Sequence, residues 1–220
     1  MASQVAHIIY AKKYFDSFEL EKIDDLSNAD KLITLGGKIN RDEFMLGCVF
    51  PDIRRIDNSI KRKDTHLRFN PLDLDFSGLD SFQAGWKFHL YTDMRREEIL
   101  NKHVFYSLKH TTDFYNLPAK VLEDELVYES YNNWEKISHF FNNPPEIKTD
   151  FKIEPESFRL WYAVVAKYFE KKPGEKSMRI FLSKQPALSG YVETVMESIA
   201  KLRENEKVIK ILKKVKEEII

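Results

Sequence analysis

The alternation of apolar and polar positions is that of helices along nearly the whole chain. Ser3 is placed to cap a first helix through about Phe15, with Ala6, Ile9, Ala11 and Tyr14 among its small or apolar positions. Asp30 to Leu35 reads as a short helix stopped by Gly36 and Gly37. NRDE at 40–43 resembles a capping box and opens a helix over FMLGCVF, which Pro51 terminates. Residues 52 to 80, rich in Asp, Asn, Pro and charge, read as a long irregular connection, which in a compact domain is more often functional than idle. Ser81 then caps a long helix from about Phe82 to His110. Pro118 starts another that runs through VLEDELVYESYNNWEKISHFF and stops before Pro144 and Pro145. A further helix spans Glu156 to Lys171, MRIFL at 178–182 fits a short strand, and the chain is helical again from Ser189. The last section, EKVIKILKKVKEEII, carries Val208, Ile211, Leu212, Val215 and Ile219 on one face; core packing is the ordinary reading and a homodimer contact the alternative. The expected fold is therefore all-α, a multi-helix bundle in one domain over 1–220. Residues 1–143 form its helical core and 144–220 a helical extension packed on it.

Composition narrows what such a bundle does. Its 16 Phe and 10 Tyr supply a large core, while seven Gly and eight Pro argue against a turn-rich β-sandwich. Acidic and basic residues balance at 35 each, so a global nucleic-acid footprint is absent. The single Cys48 excludes an intramolecular disulfide and suits a reducing compartment. MASQVAHIIYAKKYF lacks the basic start and long apolar run of a secretory signal, and no stretch approaches the roughly 20 apolar residues of a membrane helix. A cytoplasmic protein is expected.

The candidate chemistry centres on GWKFHLYTD, residues 85 to 93, which sets His89 and Asp93 one helical turn apart on one face. Of the other histidines, His7 lies on the first apolar helix, and His66 follows the turn GCVFPD that ends in Asp52. Three histidines and two carboxylates, His7, Asp52, His66, His89 and Asp93, are the ligand inventory of a di-zinc or mixed di-metal hydrolase. One ion could take Asp52, His66 and His89, and another His7 and Asp93, with Asp93 able to bridge. Zinc suits these ligands first, with iron or manganese if coordination expands. Each residue also has a plainer role open to it: a buried core histidine, a turn-capping aspartate, a solvated loop side chain. Arg54, Arg55, Arg62, Arg95 and Arg96 crowd around the proposed ligands and suit a phosphate, although a solvated basic loop explains any one of them as well. Asp52 could alternatively act as the base that orients the attacking water. His103 stands about 15 Å along the helix from Asp93, too far to share its ion without a kink. Glu135 and His139, four apart on a later helix, are second-tier ligands.

These residues in this order resemble the zinc-dependent phospholipase C family, an all-α group related to single-strand-specific nucleases. The resemblance rests on His7, on LGCVFPD with Asp52, on THL with His66, and on the G-x-x-x-H-x-x-x-D of GWKFHLYTD, and covers roughly the first 110 residues. It implies a metal cluster on these positions and hydrolysis of a phosphodiester. The family's N-terminal Trp and its H-x-x-x-E helix have no counterpart here, so a site of one or two ions acting on a small phosphorylated or phosphodiester substrate is expected. Two further readings stand beside it. One is an HD-type nucleotide phosphohydrolase, which the lack of any His-Asp dipeptide disfavours. The other is a non-catalytic helical interaction module with a structural or vestigial metal site.

Overall fold

The computed structural model describes residues 3–21, 33–34, 37–66, 68–149 and 151–220, and within these the protein is all-α. The helices are α1 (Gln4–Glu21), α2 (Arg41–Val49), α3 (Arg62–His66), α4 (Ser81–Lys102), α5 (Leu117–Val127), α6 (Trp134–Asn142), α7 (Pro155–Phe169), α8 (Glu175–Ser183), α9 (Val192–Arg203) and α10 (Glu206–Glu218). Every residue from Gln4 to Ala11 is buried, so α1 begins as a central helix covered on all sides. Helix α2 crosses α4 in the most extensive helix pair of the fold. Two glycines set that crossing. A Cβ on Gly85 would sit 2.7 Å from the Phe44 carbonyl carbon, and one on Gly47 would sit 2.7 Å from the Trp86 nitrogen.

The crossing leaves the C-terminal carbonyls of α2 in the interior, where each needs a donor. Phe50 N–H serves Leu46 and Gly47, the Tyr162 hydroxyl also reaches Leu46 (2.9 Å), and Trp161 Nε1 reaches Val49 (3.1 Å). Both aromatic donors come from α7, so residues beyond 144 are tied directly to the first half of the chain. Helix α10 packs on α5 and α4; its stripe of Val208, Leu212, Val215 and Ile219 is fully buried within this chain, with Ile211 partly so. No described helix is long and apolar enough to cross a membrane.

Several elements differ from the sequence expectation. Ile33–Thr34 (β1) pairs antiparallel with Gly37–Lys38 (β2), so the short helix expected over 30–35 is not what its described residues form; the rest of that segment lies outside the described residues. Gly37 serves a hairpin register instead of a helix stop. The connection from 52 to 80 contains a 3-10 turn, Phe50–Arg55, and α3, and among its described residues only 56–61 and 68–80 are irregular. Lys87 pins that last stretch through Asp73 Oδ1 and the Asp75 carbonyl, both at 2.6 Å. The cap of α4 is Asp80, not Ser81: its carboxylate accepts Gln83 N–H (2.7 Å) while the Gln83 side chain accepts Asp80 N–H (3.2 Å). That helix ends at Lys102, short of His110, because Val104 adopts a left-handed φ of 53° with no Gly or Pro to announce it. The helix expected from Pro118 to Phe141 breaks into α5 and α6 at Tyr128–Asn133, where the Tyr128 carbonyl accepts Trp134 Nε1 (3.1 Å). MRIFL is helical within α8, and its buried residues, Met178, Phe181 and Leu182, fall at spacings of three and four.

Burying the start of α1 requires an acceptor for its N–H groups, and α5 supplies one: Asp124 Oδ1 accepts Ala6 N–H at 2.9 Å. Burial pushes the Asp124 carboxyl up to about 7, against the partial relief of bonds from Ser3 and Ala6. A carboxyl raised in the folded state stabilises it below the unfolded pKa, and that stabilisation is lost as pH rises through the folded value. Unfolding free energy should therefore fall between about pH 4 and pH 7 by an amount on the order of 4 kcal/mol from this group. Asp124→Asn keeps an acceptor for Ala6 and should flatten that slope in urea melts. Parallel slopes in the two proteins would contradict the assignment.

Candidate metal centre

The α2–α4 crossing places the Cys48 carbonyl against His89. His89 Nδ1 lies 2.7 Å from that oxygen, so Nδ1 carries the proton and Nε2 presents its lone pair. His7, from α1, is set the same way by different means. Thr92 Oγ1 directs its single proton at the Phe88 and His89 carbonyls, both 3.0 Å away. It therefore accepts from His7 Nδ1 (3.1 Å), which leaves the lone pair of His7 on Nε2. The two rings stack, centroids 3.9 Å apart and 20° from parallel. Both Nε2 atoms then face one carboxylate: His7 Nε2 is 3.5 Å from Asp93 Oδ1, and His89 Nε2 is 3.5 Å from Asp93 Oδ2.

Those separations discriminate between two readings. At 3.5 Å they exceed a good hydrogen bond. Two ligand atoms bound to one tetrahedral zinc at ordinary bond lengths stand about 3.3 Å apart. His7, His89 and Asp93 thus form a buried group able to hold a metal ion, each offering a ligand atom within 4.8 Å of the others. The His7 imidazole is in the right protonation state. Burial, then the neighbouring His89, holds His7 well below the usual imidazole value.

His66 and Asp52 border this group. Trp86, one turn before Leu90 on α4, donates Nε1–H to the Thr65 carbonyl (2.6 Å) and so seats α3, bringing the His66 ring to 5.6 Å from that of His89. Burial lowers the His66 pKa to about 3, with His89 adding to the effect. Like His7 and His89, it has an Nε2 that is buried without a hydrogen-bond partner among the described residues. Asp52 is fully buried in the 3-10 turn, where it accepts from Gln4 Nε2 (2.9 Å) and pairs with Arg55 Nε (3.0 Å) and Arg54 Nη2 (3.7 Å). Burial alone would raise its carboxyl; Arg55, then His89 and Arg54, outweigh that and hold it well below the usual carboxylate range. A carboxylate so placed anchors well and accepts a proton poorly.

Compared with known proteins, the chain matches no family model, no curated protein and no solved structure. The site is therefore argued on its own geometry.

All five expected ligands come from elements that meet in one buried region, but the grouping differs from the expected one. His89 joins His7 and Asp93, whereas His66 and Asp52 stand at the border of that trio. The arginines divide. Arg54 and Arg55 lie beside Asp52 at the solvent edge, with side-chain exposures of 23% and 11%. Arg96 is fully buried and donates Nε–H to Glu123 (2.7 Å). Arg95 turns outward to Glu98, and Arg62 is exposed on α3, so neither faces the trio. Glu135 and His139 are exposed on α6 and supply no ligand to the buried group. His103 pairs with Glu218 (2.9 Å) and His110 with Asp113 (3.2 Å).

Sequence reasoning missed Gln4, Thr92 and the Cys48 carbonyl. Gln4 lies three residues before His7 and Thr92 directly precedes Asp93, so proximity to the ligands was a faint signal for both.

Proposed function

We propose that this chain is a metal-dependent phosphoesterase of the phospholipase C type, with zinc as the first-choice ion and a small phosphate ester or phosphodiester as substrate. The observation that carries it is the convergence of His7 Nε2, His89 Nε2 and Asp93 with the tautomer of each imidazole locked by a second partner. Those residues would hold the ion, and His66 and Asp52 would complete the set or serve a second one. Nitrogen and oxygen donors at such separations suit zinc, with iron and manganese as the alternatives. A divalent ion held there acidifies water and withdraws charge from a phosphoryl oxygen. Three ligands in the buried trio leave coordination positions for substrate. Arg54 and Arg55, at the solvent edge, are placed to receive the phosphate as it enters. Asp52 acts as anchor and ligand in this scheme; its depressed pKa argues against the role of base.

The test is metal content. Protein purified without chelator should carry about one to two equivalents of zinc, iron or manganese, lost when His89→Ala is combined with Asp93→Ala. Loaded protein should hydrolyse bis(p-nitrophenyl) phosphate or p-nitrophenyl phosphate, and the double variant should not. No bound metal even after reconstitution sinks the proposal.

The complete burial of His7 and His89 favours a second reading, a structural metal in a non-catalytic helical module. X-ray absorption at the metal edge separates the two: a closed shell of four protein ligands supports the structural role, and bound water the catalytic one.

A further inference from the structure

Helix α5 carries a lysine that neither the metal ligands nor the helix packing explains. Lys120 is only 5% exposed, a rare situation for an ammonium group. Among the described residues it makes one hydrogen bond, from Nζ to the Tyr115 carbonyl at 3.2 Å. That carbonyl belongs to a left-handed run, Phe114, Tyr115 and Asn116, with φ of 47°, 55° and 65°. No carboxylate among the described residues is bonded to the ammonium. Lys120 stands one turn before Glu123 on α5, and Glu123 meets Arg96 at 2.7 Å, so Lys120 lies on the side of α5 that faces α4 and its ligands, with Asp93 and Asp52 among the charges around it.

Arg96 adds a second, independent observation. His89, Asp93 and Arg96 fall at spacings of four and three on one face of α4. The Arg96 side chain is fully buried; Nε donates to Glu123, whereas Nη1 and Nη2 donate no hydrogen bond, with Glu97 Oε1 3.7 Å from Nη1. Buried guanidinium N–H groups without acceptors are costly unless a ligand or water meets them.

We propose that Lys120, with the free edge of Arg96 behind it, is the phosphate-binding group of the metal centre: its ammonium holds a phosphoryl oxygen of the substrate beside the ion. This deepens the phosphoesterase reading and rests on it for the identity of the anion. A compact ammonium with donors to spare suits a phosphate oxygen, as a point charge held where water is excluded. The role is one of binding and orientation, with no bond made to the lysine.

Inorganic phosphate is the probe, titrated calorimetrically into full-length protein in metal-loaded and metal-free form. Lys120→Met should weaken phosphate binding by about tenfold or more while leaving metal content unchanged, and Lys120→Arg should recover most of the affinity. If Lys120→Met does not fold, 15N spectra of the wild-type lysine ammonium groups take its place. The resonance missing from Lys120→Arg must then shift on phosphate addition. Phosphate binding that is equal in wild type and Lys120→Met overturns the proposal, as does no phosphate binding by the wild type. Lys120-dependent binding by protein that takes up no metal would uphold the anion site and remove the metal reading, so the two fail separately.

Discussion

Gly85→Ala is expected to cost about 3 kcal/mol or more, because an added methyl group meets backbone on the facing helix and no side chain can swing aside. The Cβ would fall 2.7 Å from the Phe44 carbonyl carbon and closer still to its oxygen. Relief requires α2 and α4 to separate along the most extensive helix contact of the fold. For a chain of this size that corresponds to a drop of about 10 °C in Tm. The same substitution should reach the candidate metal centre. Moving α2 away withdraws the Cys48 carbonyl from His89 Nδ1, and loss of such an orienting bond typically lowers metal affinity by about 10- to 100-fold. Gly190→Ala is the control, since nothing lies within 4 Å of a Cβ there. Thermal melts and metal titration of both variants check the expectation. A Gly85→Ala protein that melts with the wild type would mean that the helices do not approach as closely as described.

The second large effect is expected at Glu123. Its carboxylate lies at the meeting of three helices, accepting the Tyr10 hydroxyl from α1 and Arg96 Nε from α4, with all three side chains out of solvent. Glu123→Ala leaves the buried Arg96 charge with only Glu97, 3.7 Å away, as a counter-ion, and breaking a buried pair in this way typically costs about 3–5 kcal/mol. Arg96→Met combined with Glu123→Leu removes both charges and should recover much of that loss, because two desolvation penalties disappear with the pair. Urea denaturation of the single and double variants gives the comparison. A Glu123→Ala protein within about 1 kcal/mol of wild type would show that water reaches Arg96 after all. Since Arg96 shares a face with His89 and Asp93, the single variant should also weaken the proposed phosphate binding.

Much of this was legible in the residues. The spacing of His89 and Asp93 implied a shared face, and the structure sets them on one carboxylate–imidazole contact. The glycines of GCVFPD and GWKFHLYTD were visible only as parts of a motif; their physical reason, backbone against backbone, needed the partner helix. Where the helices stop was poorly legible for a different reason. Val104 takes a left-handed conformation that its side chain disfavours, so only its surroundings impose it. MRIFL misled because five apolar-rich residues fit either period, and the facing helices decided for 3.6.

By itself the sequence determined that the chain is helical, that its net charge is zero, and that three histidines and two aspartates stand at ligand-like spacings near helix ends and faces. These are local properties: periodicity, capping and composition act within a few residues. Which of these residues stand close enough to share an ion was decided only by the tertiary structure, which stacks His7 on His89, eighty-two residues away, and leaves His66 and Asp52 at the border. So was the burial of Lys120 and Arg96. A lysine on a helix reads as solvated until another element covers it, and the cost of covering a charge is set by the groups brought to face it.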